Sequence, residues 1–190
     1  MPESTDNAMI LITISYQALL RAKKPNNDDV IADCTVAILF AAYFIEANIN
    51  YLIEFLGRKQ EVNKFYNNNN PDRQGTFGLL KKLAWFYNSF LEPNEEDKKE
   101  KKILYQKTKS KFLGLAEILN FRDNTSHGDI SPIIANVKYA ETLRNHAKDI
   151  VSILFSITRE KTGKKIPRVI RYSDAIGLSN IKTSSSSDIY

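Results

Sequence analysis

Apolar residues recur every three or four positions through most of the chain, a spacing that predicts helices. A first helix is expected over about residues 5–23, with Met9, Ile12, Tyr16, Leu19 and Leu20 on one face. Arg21, Lys23 and Lys24 form its basic stop, where cations favour a helix C-terminus. A second is expected after the cap candidates Asn27, Asp28 and Asp29, running to Gly57. Rich in alanine and apolar almost all round near its middle, it should be the central helix.

After a short polar stretch, Asn67 to Asn70, Pro71, Asp72 and Gly75 carry the chemistry of a loop. Thr76 to Leu91 then reads as a helix whose apolar face is Leu79, Leu80, Leu83, Phe86, Tyr87 and Phe90, closed by Glu92-Pro93. Asn94 to Lys102, acidic and then basic, reads as an exposed connection. From about Ile103 one helix is expected through Phe112, Leu115, Ile118 and Leu119 towards Phe121, stopping at Gly128. Ser131-Pro132 and Asn136 mark the turn into a last long helix. There Tyr139, Leu143, Ala147, Ile150, Leu154 and Ile157 recur up to Gly163.

No alternating pattern suggests a sheet, although Ile166 to Tyr172 suits a short extended piece. The fold class expected is therefore all-α, a bundle of about four to five helices. One helical domain is expected over residues 1–172, with its core at about 28–162, and 173–190 reads as a polar, flexible tail. At 190 residues, 43% hydrophobic and 26% charged, the chain has the size and apolar content for one core.

A lone Cys34 excludes an internal disulfide, and the opening MPESTDNAMILI lacks the basic region of a secretory peptide. The stretch Val30 to Ile45, interrupted by Asp33, is shorter than the roughly 20 residues of a membrane span. It reads as a buried helix, which sets the expectation of a cytoplasmic protein with no membrane partner. The formal net charge of +5 is uneven: residues 1–97 are net acidic and 98–190 net basic. That asymmetry points to an anionic partner, with RNA first among candidates. Lys107, Lys109 and Lys111 are candidates for contacting its backbone.

One cysteine and two histidines supply no ligand set for a structural zinc site, so neither a metal nor a cofactor is expected. Glycine-rich phosphate loops and the G-x-S-x-G elbow are also missing from the sequence. The segment that can carry chemistry is Arg122-Asp123-Asn124-Thr125-Ser126-His127. Arg122 continues the apolar stripe of Leu115, Ile118 and Leu119, which aims a permanent cation at the core or an interface. Such a charge needs a carboxylate or an anionic ligand. Asp123 precedes His127 at the i, i+4 spacing that lets a carboxylate orient or charge-stabilise an imidazole.

Phosphodiester transfer suits this set. An imidazole, with an ordinary pKa of about 6.5, moves protons near neutrality, and a guanidinium holds non-bridging oxygens as charge grows on them. RNA supplies its own nucleophile, the 2′-hydroxyl, so the reaction needs no metal-bound water. Glu46 and Asn50, spaced i, i+4 where the central helix turns polar, are supporting candidates facing the motif, as is Asn124. The same residues also suit a plain helix end, with Arg122 paired to Asp123 or Glu117 and His127-Gly128 closing the helix. His146 reads as a surface or structural histidine.

R-D-N-T-S-H-G, placed late in a helical domain and before a long last helix, resembles the R-[N/D/H]-x-x-x-H motif of HEPN-domain proteins. The resemblance implies a four- to five-helix HEPN-like bundle, a homodimer whose two motifs share a cleft, and metal-independent cleavage of single-stranded RNA. It implies a role as a toxin of a toxin–antitoxin pair or as a component of antiviral defence. By residue it assigns Arg122 to phosphate binding, His127 to proton transfer and Asp123 to the polar position after the arginine. The alternative within the same resemblance is a non-catalytic module that binds RNA or an antitoxin-type protein.

Overall fold

The computed structural model describes residues 4–66, 78–94, 100–126, 135–164 and 166. Among them the chain is all-helical, with seven α-helices: α1 (Ser4–Ala22), α2 (Val30–Phe55), α3 (Lys59–Tyr66), α4 (Leu79–Phe86), α5 (Lys101–Lys111), α6 (Leu115–Ser126) and α7 (Val137–Thr162). The count exceeds the four to five expected, for two local reasons. The stretch read as merely polar after Gly57 forms α3, where Arg58 pairs with Glu61 and Val62 is buried. The helix expected from Ile103 to Phe121 is two helices, broken at Phe112–Gly114, where Phe112 turns extended (φ −100°, ψ 97°) and Gly114 takes φ +76°.

α2 is the central element, packed along α1 and against α7, α6 and α4. Its seam with α1 is built from small side chains: Ala8, Ala18 and Ala22 face α2, whose Ala37, Ala41 and Ala42 are all but fully buried. Ser15 Oγ donates to the Ala37 carbonyl at 2.7 Å, so the one polar side chain in that buried stretch of α1 is satisfied. The buried positions of α1 are Ala8, Ile12, Ser15, Ala18, Leu19 and Ala22; Leu20, expected inside, is 39% exposed, and Tyr16 lies partly open. Alanines and a serine, weak markers of a core face by hydropathy, carry that stripe because they let two backbones approach closely.

The α1–α2 turn is organised by Asn27, one of the expected cap candidates, together with Asp33. Asp29 occupies the N-cap position without a capping side-chain bond. Asn27 instead donates to the Arg21 carbonyl at 2.9 Å and to Asp33 Oδ2 at 3.0 Å, and its own Oδ1 accepts from the Asp29 amide. Arg21 closes the group with its guanidinium 2.8 Å from Asp33 Oδ1.

At 26 residues, α2 is long and apolar enough to cross a membrane by length and composition, a test that the buried core helix of a bundle passes equally. The helix continues through Glu46 to Phe55, and half of its most apolar window is buried within the bundle. The opposite wall is α7, with Leu143, Ala147, Ile150, Val151, Leu154 and Phe155 buried. Arg144, also buried, lies 4.9 Å above the Tyr16 ring of α1 and joins the two ends of the chain's helical order. The α7 ends follow their sequence signals: Asn136 Oδ1 accepts from the Tyr139 amide at 2.9 Å, and Gly163 closes the helix at φ 62°.

The expected helix from Thr76 begins at Leu79 in the described residues and changes character at Tyr87, becoming a π-helical turn through Leu91. α5 packs on α4 and links it to α6. The proposed extended piece beyond Ile166 and the polar tail at 173–190 lie outside the described residues, as do Asn67 to Gly75 and Gly128.

Candidate functional site

Arg122 stands just before the last turn of α6, where two hydroxyls of that turn bond back to the helix. Thr125 Oγ1 donates to the Phe121 carbonyl at 2.7 Å and Ser126 Oγ to the Arg122 carbonyl at 2.8 Å. Each hydroxyl thus bonds back to the carbonyl four residues earlier, sharing an acceptor that already belongs to the helix ladder. Because Leu115, Ile118 and Leu119 are buried, the position three residues after Leu119 faces inward, and the Arg122 side chain is only 20% exposed.

Inward means towards α2. Arg122 Nη1 lies 3.8 Å from Glu46 Oε2, while its Nε and Nη2 both donate to Asp123 Oδ1 at 3.2 Å. Of the two carboxylates anticipated for Arg122, Asp123 is in contact; the second contact is Glu46, in place of Glu117. Glu46 also accepts from Lys82 Nζ of α4, its Oε1 at 2.7 Å. The cluster thus draws on α2, α4 and α6, with Lys82 the most enclosed member at 12% side-chain exposure and Asp123 open at 61%. Two cations and two carboxylates balance. Their partial burial leaves these charges less screened by salt than a surface pair.

The remaining candidates divide clearly. Asn124 and Asn50 are both exposed, Asn50 one turn beyond Glu46 on α2. His127 lies outside the described residues, and with it the relation of its ring to Asp123. Lys107 and Lys111 border a cleft of about 400 Å³ between α5 and the π-helical turn, with Tyr87, Glu92 and Ile103. Lys109 is absent from that lining, as expected two residues, about 200° of helix, from each of the others. His146 is half-buried against Gly114, consistent with a structural role. Lys82 was the member not singled out from sequence, since its partner Glu46 lies 36 positions away. A lysine next to the buried Leu83 on an apolar helix was the available signal.

Among the described residues, no group of three or more His, Cys, Asp or Glu side chains is placed to hold a metal ion. No family model matches the chain, and no curated protein or solved structure matches it either.

Proposed function

We propose that the protein is a metal-independent endoribonuclease of HEPN type, acting on single-stranded RNA as a homodimer in a toxin or defence system. The observation that carries this reading is the placement of Arg122. It is an arginine four-fifths enclosed near the C-terminal end of the helix before the long final helix, aimed into a charged cluster rather than into solvent. That guanidinium suits the non-bridging oxygens of a phosphodiester. His127, next in the motif after Ser126, is assigned the proton transfer. The 2′-oxygen of RNA attacks the adjacent phosphorus as its proton leaves, the bond to the 5′-oxygen breaks, and a proton goes to that leaving oxygen.

A second reading is favoured by the same geometry in a different respect. Arg122 is already held by Asp123 and approached by Glu46, as in a bundle whose motif is structural. In that reading the chain is a non-catalytic module binding RNA or an antitoxin-type protein.

The test is cleavage of single-stranded RNA by purified protein with a chelator present. The expected products end in a 2′,3′-cyclic phosphate and a 5′-hydroxyl, and His127→Ala is expected to lose activity by about 10²–10⁴-fold with its helical spectrum unchanged. Undiminished cleavage by a folded His127→Ala protein overturns the mechanism. A wild-type protein that binds RNA without cutting it favours the second reading.

A further inference from the structure

Glu46 offers one oxygen to each of two cations on different helices. Oε1 accepts from Lys82 Nζ of α4 at 2.7 Å, and Oε2 faces Arg122 Nη1 of α6 at the longer distance of 3.8 Å. A carboxylate bridging two cations presents the same pair of anionic oxygens as a phosphodiester. Lys82 is 12% exposed, a degree of burial at which an ammonium requires a counter-charge, and Glu46 supplies it. The Arg122 leg is the weaker of the two, because 3.8 Å exceeds hydrogen-bond length.

We propose that Lys82 is a second phosphate-binding residue of this site and that Glu46 is an internal competitor holding both cations in readiness. The proposal rests on the reading of Arg122 as a phosphate ligand. With Glu46 and Asp123 both in place the cluster is neutral, so a phosphodiester enters by displacing Glu46, first from Arg122 and then from Lys82. Glu46 therefore lowers affinity, and Lys82 and Arg122 raise it. A purely structural ion pair predicts no such opposition, since each loss would act only through stability.

The experiment measures binding of a fluorescent 2′-O-methyl oligoribonucleotide, which keeps the phosphodiesters and lacks the nucleophile. It compares wild type, Glu46→Gln, Lys82→Gln, Lys82→Arg and Arg122→Ala, each checked for fold by circular dichroism and urea midpoint. Glu46→Gln is expected to bind about tenfold tighter and Lys82→Gln about tenfold weaker, of the order of one charge-assisted hydrogen bond. Lys82→Arg should restore binding. The slope of log K against log salt should fall by about 0.7 in Lys82→Gln, the share of one phosphate contact on a single strand. If Glu46→Gln does not fold, Glu46→Asp, which withdraws the carboxylate from both cations, is expected to tighten binding in the same direction.

Inorganic phosphate that competes with the oligonucleotide in wild type but not in Lys82→Gln extends the site to free phosphate; failure to compete confines it to the nucleic-acid backbone. Unchanged affinity and salt slope in the Glu46 and Lys82 variants, with Arg122→Ala still weakened, overturns this proposal and leaves the Arg122 reading standing. Unchanged affinity in all the variants, Arg122→Ala included, overturns both.

Discussion

The imidazole of His146 lies against Gly114 so closely that a Cβ built on the glycine would stand 2.4 Å from His146 Cδ2 and 2.7 Å from its Cβ. The glycine also holds φ +76°, a left-handed conformation that disfavours any side chain. The α5–α6 break is thus fitted to α7 by the absence of one methyl group.

Gly114→Ala is accordingly expected to destabilise the fold by about 2–4 kcal/mol, from overpacking together with left-handed strain. Adding His146→Ala should recover only the part due to the ring, because the Cβ that alanine keeps still stands 2.7 Å away, and it leaves the backbone part of about 1–2 kcal/mol untouched. Urea unfolding of the two variants measures the share due to the imidazole ring. Equal stability of Gly114→Ala and wild type would show that the two helices do not meet at this distance.

At the start of α7 the Asn136 side chain satisfies the Tyr139 amide, one of the four amides that a helix N-terminus leaves without partners. Asn136→Ala should cost about 1 kcal/mol, and Asn136→Asp or Asn136→Ser should retain most of the stability. Denaturation midpoints at constant m-value check this.

Cys34 is fully buried in α2, and burial, reinforced by neighbouring Asp33, raises its thiol above the ordinary value of 9.0. The folded state therefore holds the thiol proton more tightly than the unfolded chain. Its contribution to stability is complete below pH 9 and is lost as pH climbs through the higher folded value. Stability should fall over that alkaline window, less steeply in Cys34→Ala, and native protein should react slowly with a thiol reagent. Rapid labelling at neutral pH under native conditions would contradict the buried position.

An ideal helix would separate side chains five residues apart, as Arg122 and His127 are in sequence, by about 140° and about 7.5 Å along the axis, so one regular helix would not turn both to one phosphate. A second copy completing the site is the arrangement expected of the proposed homodimer. Mixing inactive Arg122→Ala with inactive His127→Ala should restore cleavage in heterodimers if the two residues act across the interface. Sedimentation as a monomer at high micromolar concentration, with full activity, would refute a shared site.

The long helices were legible because their limits are chemical and local. Asn136 and Gly163 bound α7 with side chains or dihedrals of their own, and Gly57 follows α2 at φ 67°. The break at Gly114 was hidden because Phe112, Leu115, Ile118 and Leu119 keep helical spacing across it, and the side chain that leaves no room for a Cβ there, His146, is 32 positions away. The π-helical turn at Tyr87 was equally silent, since it keeps the apolar order of the helix before it. At the site, the inward aim of Arg122 could be read from its place in an apolar stripe. For Lys82 only its place beside Leu83 gave a signal, and its pairing with Glu46 gave none, because an ion pair between α2 and α4 has no signature in the spacing of either helix.

The alanine seam between α1 and α2 bears on more than stability. Glu46 shares its helix with Ala37, Ala41 and Ala42, so whatever sets the register of that helix also sets where the carboxylate stands. A slip of one residue would carry Glu46 about 1.5 Å along the axis and about 100° around it, away from both cations. α2 works as a measuring rod: closely fitted side chains in its first half fix an electrostatic position about one turn further on. A single methylene added near Ser15 or Ala41 is then read out about one to three turns away, as a change in which cation the carboxylate can reach.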